Sequence, residues 1–214
     1  MKEQVKKEWE LLLNNYPQLS SCADDALKAY ELIKETVLRG GLILTCGNGG
    51  SAADAEHITG ELMKGFKMKR PVTAEQRDAL VTTYHGEGVY FADHLQRAIP
   101  AISLVSQTSL SSAFVNDVAP DMVFAQQVFG YGCAGDVLLA LTTSGNSKNV
   151  VNACKVAKVF GITTIGLTGE DGGDLKDICD ITIRVPASET FRVQEFHLPL
   201  YHALCAMIER ELFE

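Results

Sequence analysis

The chain has 214 residues, 46% hydrophobic and 21% charged, with 19 basic against 27 acidic side chains for a formal charge of −8. That composition suits a domain that buries its own core, and it excludes a disordered chain or one that needs disulfides or a metal to fold. So acidic a balance argues against a nucleic-acid partner, although a few oriented amides can hold one small phosphate whatever the net charge. Met1 to Glu10 is charged and has no apolar segment of the signal-peptide kind. No apolar run approaches the roughly 20 residues that span a membrane. The six cysteines (Cys22, Cys46, Cys133, Cys154, Cys179, Cys205) form no CxxC pair and read as reduced thiols, several of them core fillers, which points to the cytoplasm.

The first 40 residues pattern as two helices. Val5, Trp9, Leu12 and Leu13 mark one stripe, which Tyr16-Pro17 ends; Ala26, Tyr30, Leu32, Ile33 and Val37 mark the next, which stops at Gly40-Gly41. Then the texture changes. The apolar run 42–46 meets Gly47-Asn48-Gly49-Gly50-Ser51 and a helix from Ala52 to about Phe66. The unit recurs with strands at 101–105, 136–141, 162–167 and 181–185, helices at 109–116, 125–129 and to about Phe160, and a long helix from about Arg192 to Phe213. Apolar strands alternating with helices predict a single α/β domain over 1–214, a doubly wound parallel sheet covered on both faces. Residues 72–99 break the rhythm, since such connections usually span only a few residues. They pattern as helical parts at 75–81 and 90–97 broken at Gly86-Glu87-Gly88, and read as a lid, an interface element or a solvated insertion.

Two loops carry the chemistry. Gly47 to Ser51 sits where a strand end meets a helix start, where glycines admit close approach and free amides attract an anion. It is neither a P-loop nor a full dinucleotide fingerprint, and a tight turn alone would also explain it. Thr142-Thr143-Ser144-Gly145-Asn146-Ser147 repeats the arrangement with four hydroxyls, of which helix capping by Ser147 explains one. If their strands are neighbours the loops face one crevice, suited to a ligand with a phosphate and several hydroxyls.

His57 and Glu61 stand four apart, on one face of the helix after the first loop, and so near the crevice mouth. Gln194, Glu195, His197 and His202 stand in the last helix, where a lone histidine is more often a core residue. Gln194 and His202 are eight residues apart, roughly 12 Å of helical rise. They can share one metal only if Gln194 precedes the helix, if Pro199 bends it, or if different subunits contribute.

With these residues in view, the chain resembles the SIS (sugar isomerase) domain family, and most of all its phosphoheptose isomerase branch. The matching segments are CGNGGSAADAEH, AGDVLLALTTSGNSKNVV, LTGEDGG and RVQEFH. The resemblance implies a flavodoxin-like three-layer fold with N-terminal helices used in assembly, commonly a homotetramer with sites at subunit interfaces. It implies isomerisation of sedoheptulose 7-phosphate, a step toward lipopolysaccharide heptose. Asn48, Gly49, Gly50 and Ser51 match the family's first ligand loop, and Thr142, Thr143, Ser144 and Ser147 its phosphate loop. Asn116 and Asp117 match a pair in the substrate site. Glu61 matches the general base and His202 the general acid. His57, Glu61, Gln194 and His202 match the ligands of members that hold zinc; no nucleotide cofactor is implied. The family's arginine after the metal helix is matched by Gly65, an acidic residue before its glutamine by Phe191, and residues 72–99 look extra. The rival expectations are an isomerase for another sugar phosphate and a non-catalytic relative that senses sugar phosphates or binds the replication initiator. His57, Glu61 and His202 together favour an enzyme.

Overall fold

The computed structural model describes residues 1–214. Five parallel strands, β1 (Ile43–Cys46), β2 (Ala101–Ser103), β3 (Val137–Leu141), β4 (Thr163–Thr168) and β5 (Ile181–Arg184), form one sheet in the order β2-β1-β3-β4-β5. The expected doubly wound sheet is what forms. The alternation of the pleat splits its core in two. Val137, Leu139 and Leu141 join Ile43 and Ile165 on one face, under α1 (Glu3–Asn15), α2 (Ala23–Leu38), α3 (Gly50–Met63) and α9 (Thr190–Phe213). Leu138 and Ala140 join Leu44 and Cys46 on the other, under α6 (Val123–Tyr131), α7 (Lys148–Val159) and α8 (Leu175–Ile178). Each fully buried leucine or valine stabilises this arrangement by about 1.5–3 kcal/mol.

The N-terminal stripe does what its spacing predicts: Val5, Trp9 and Leu12 are buried, and α1 packs on α9. A 3-10 turn at Pro17–Cys22 separates α1 from α2, because proline at its start cannot continue the first helix. The last helix starts at Thr190 and runs on through Pro199, so Gln194 lies inside it rather than before it. All six cysteines are free thiols, four of them buried. No helix is long and apolar enough to cross a membrane.

Residues 72–99 form a helical hairpin. The segment α4 (Ala74–His94) breaks at His85, where φ is 50° and ψ −117°. Arg77 and Asp93 form an ion pair of 2.6 Å, which a continuous helix would separate by roughly 24 Å, so the second half folds back on the first. Gly88 permits the crossing, since a Cβ there would lie 2.1 Å from the Leu80 carbonyl oxygen. The break comes one residue before the glycine cluster that predicted it. A bridge between Pro71 and Gln96 closes the base. Of α4 only Gly88 and Ala92 are buried.

The strand order reverses beside β1, between its neighbours β2 and β3. In such sheets the crevice at the carboxyl ends of the strands on either side of the reversal is the ligand site. The register Cys46↔Ala140 sets the loops after β1 and β3 side by side at that point.

Candidate active site

The two loops line one cavity of about 320 Å³. Asn48, Gly49, Gly50 and Ser51 form one wall, and Thr142, Thr143 and Ser147 the other. The helices α3 and α7 both begin there, so two sets of unpaired backbone amides and two positive dipole ends converge. No lysine or arginine lines the cavity. An anion would be held by amides and hydroxyls, as the sequence suggests. Ser147 stands at the N-cap of α7, yet its hydroxyl makes no capping bond; it lies 2.9 Å from Thr142 Oγ1 at the cavity wall. The expected cap is therefore corrected. Ser144 departs from the expected set in another way: it is exposed, outside this lining, and its Oγ accepts the Asn146 amide at 3.2 Å.

Gln194 reaches the same cavity from α9 and lies over Gly50. A Cβ at Gly50 would stand 2.5 Å from Gln194 Nε2, so glycine is what lets this amide meet the start of α3. Thr190, one turn earlier, joins the lining. Asn149 was not among the expected residues. Its amide and that of Asn48 exchange two hydrogen bonds of 2.9 Å, which tie the first loop to the start of α7.

The acid–base candidates gather farther along α3 and α9. His57 Nε2 is 3.2 Å from Glu61 Oε1, as the four-residue spacing predicts. His202 Nε2 is 3.4 Å from His57 Nε2, and Phe66 packs beside the His202 ring. Lys64 approaches the other oxygen of Glu61 at 3.3 Å. Burial, together with His57, holds the pKa of His202 below its ordinary 6.5, although Glu61 pulls the other way. His202 lines a second cavity, of about 420 Å³, between α1 and α9. His57 also meets Tyr201 on α9, which in turn reaches Asp54. Burial raises the Asp54 carboxyl above 3.8, offset in part by the Tyr201 hydroxyl and by His57. Asp54, His57 and Glu61 share one face of α3 by their spacing, a signal the sequence carried for Asp54; Tyr201 reads from sequence as core.

His197 is the core histidine that the sequence allowed for. It is fully buried, its Nε2 lies 3.3 Å from the Thr168 carbonyl, and burial lowers its pKa to about 4. Glu195 is exposed and pairs with Arg192. Asn116 and Asp117 end α5 (Thr108–Asp117), exposed and bonded to each other at 2.7 Å, and neither lines the two cavities. Gly65 bonds to Gln96 through its amide, and Phe191 is exposed.

The donors in the expected zinc set suit that metal in kind: two imidazoles, a carboxylate and, less usually, an amide. The spacings of 3.2 and 3.4 Å about His57 match the edge of a tetrahedron with metal bonds of about 2.0–2.1 Å. No group of three or more His, Cys, Asp or Glu side chains in the chain is placed to hold a metal ion as it stands. Gln194 stands with the phosphate-type loops rather than in this histidine cluster.

The family model described as SIS domain matches residues 18–83 and 78–169, and its two matches meet inside the α4 hairpin. Over 185 residues the chain is 41% identical to a phosphoheptose isomerase of Aliarcobacter butzleri, covering 86% of this chain and 84% of that one. It is 37% identical to one of Clostridium acetobutylicum, over 99% of this chain and 89% of that one. The solved phosphoheptose isomerase GmhA from Neisseria gonorrhoeae superposes with a TM-score of 0.71 at 34% identity, covering 96% of this chain and 91% of that one. The chain therefore belongs to the SIS domain family and, within it, to the group of the phosphoheptose isomerases.

Proposed function

We propose that this chain is an aldose–ketose isomerase that converts sedoheptulose 7-phosphate to D-glycero-D-manno-heptose 7-phosphate. One observation carries the reading. A cavity lined by two helix starts and hydroxyls opens at the head of α3, a Glu–His–His cluster stands farther along α3 and α9, and Gln194 and His202, eight residues apart on α9, stand at the two places. That spacing is about 12 Å of helical rise, a reach suited to an extended sugar phosphate. The amides of α3 and α7 and the hydroxyls of Ser51, Thr142, Thr143 and Ser147 bind the phosphate, while Asn48 and Gln194 meet the sugar hydroxyls nearest to it.

The reaction moves one proton between neighbouring carbons. Glu61 takes it from C1 of the ketose, and the electron pair left behind forms the C1–C2 double bond of an enediol. His202 gives a proton to the oxygen on C2 and recovers one from the oxygen on C1. Glu61 then returns its proton to C2, which leaves the aldose. A zinc ion held by His57, Glu61 and His202 would supply Lewis-acid polarisation of the carbonyl; Gln194, about 12 Å along α9 from His202, does not reach the same ion within one chain. The working form we propose is a homotetramer with sites at subunit interfaces. The exposure of Asn116 and Asp117, outside both cavities, supports a site that a second copy completes.

A different sugar phosphate is the second reading, favoured by Gly65 and Phe191 at positions where the family resemblance leads one to expect charged residues. A coupled assay over C5 to C7 sugar phosphates, with and without zinc, separates the two. Sedoheptulose 7-phosphate is expected to turn over fastest, and Glu61→Gln to lower kcat by about 10²–10⁴-fold. No turnover of that sugar under either condition would overturn the heptose assignment, and an undiminished Glu61→Gln variant would overturn the base.

A further inference from the structure

Two side chains that no step above uses stand against His57. Tyr201 is 1% exposed. Its hydroxyl lies 3.1 Å from Asp54 Oδ1 and 3.0 Å from His57 Nδ1. That hydroxyl has one proton to give. An ionised carboxylate can only accept, so the proton goes to Asp54, whose other oxygen is buried and has no partner. The phenolic oxygen is then left to accept, and the donor facing it is His57 Nδ1. The imidazole proton therefore sits on Nδ1, and Nε2 keeps its lone pair. Nε2 is the atom that faces Glu61 Oε1 at 3.2 Å and His202 Nε2 at 3.4 Å.

A histidine paired with Glu61 alone would take the other tautomer and donate from Nε2 to the carboxylate. The aromatic hydroxyl and the buried carboxylate reverse that choice. They leave two acceptors, Nε2 and Glu61 Oε1, facing each other, an arrangement that a bound cation relieves. We propose that Tyr201 and Asp54 are positioning residues that hold His57 as its Nδ1–H tautomer and present the bare Nε2 to Glu61 and His202. The consequence for zinc rests on the isomerase reading; the tautomer itself does not. A hydrogen bond on the remote ring nitrogen is what orients a metal-binding histidine and raises its basicity.

The test uses the full-length protein with ¹⁵N-labelled histidine, stripped of metal, and reads the protonated nitrogen of each ring by long-range proton–nitrogen correlation. His57→Gln identifies the His57 signals by their loss. The parent is expected to show His57 protonated on Nδ1. Tyr201→Phe, which keeps the ring and loses only the hydroxyl, is expected to move the proton to Nε2; Asp54→Asn is expected to weaken the Nδ1–H preference. Zinc affinity, measured against a competing chelator, is expected to fall by about 10- to 100-fold in Tyr201→Phe, with unchanged circular dichroism. A parent protonated on Nε2 would overturn the proposal, and so would a Tyr201→Phe variant with the parent's tautomer. A parent that takes up no zinc would overturn the metal reading instead, and the tautomer measurement would still decide this one.

Discussion

Asn149 and Asn48 satisfy each other across the crevice, each amide donating to the other's carbonyl at 2.9 Å. The pair fixes the distance between the two walls of the anion cavity without touching the reacting end. Asn149→Ala is expected to raise KM for the sugar phosphate about tenfold, roughly 1.4 kcal/mol of lost binding, with kcat nearly unchanged. Steady-state kinetics check this, and an unchanged KM would show that the pair is ornamental. At this scale the sequence was legible where spacing along one helix was enough. His57 and Glu61 are neighbours by their four-residue interval, and Asp54 falls on the same face. Asn149 and Tyr201 were not legible, because their partners come from other elements and the chain order says nothing about which helix lies across from which. Ser147 was misjudged for a related reason. Its position is that of a helix cap, but Thr142, five residues back, competes for its hydroxyl.

The elements that carry the site are welded by a buried ion pair. Arg70 and Glu209 have fully buried side chains and meet at 2.7 Å. Arg70 also bonds the carbonyls of Leu62 and Glu61 at 2.7 and 3.2 Å, which closes the open end of α3. Glu209 accepts the amides of Phe66 and Lys67 at 2.8 and 2.7 Å, so the turn after α3 is fastened to α9. Glu61 and His202, the proposed base and acid, thus stand in one frame. Removing one partner leaves an uncompensated buried charge. Glu209→Leu is expected to destabilise the fold by about 3–5 kcal/mol, and the double change with Arg70→Met to recover much of that loss. Denaturant unfolding measures both; a loss below about 0.5 kcal/mol in the single variant would contradict this account. The segment Lys64 to Arg70 is rich in basic residues. Only the arrival of Glu209 from the last helix takes Arg70 out of water.

For the molecule as a whole, the hairpin α4 stands apart from both cores. It buries only Gly88 and Ala92, and its ends are joined at the Pro71–Gln96 bridge. Replacing residues 74–94 by a short Gly-Ser linker is expected to leave a cooperatively folded protein. The cost should stay within about 1 kcal/mol, or 2–4 °C in Tm. Thermal unfolding followed by circular dichroism is the check, and loss of the cooperative transition would show that the hairpin belongs to the core.

The sequence by itself determined the alternation of strands and helices, a sheet covered on both faces, the two glycine- and hydroxyl-rich loops and the helical pair His57–Glu61. Each of these follows from the periodicity of apolar residues or from short-range spacing, which are properties of the chain read in one dimension. The tertiary structure decided that β1 pairs with β3, and so that the loops share one crevice. It also decided that Gln194 joins the two loops while His202 joins His57, and that Tyr201 reaches His57 Nδ1. These depend on contacts between residues more than ninety positions apart, whose geometry is settled only when the sheet and α9 pack together.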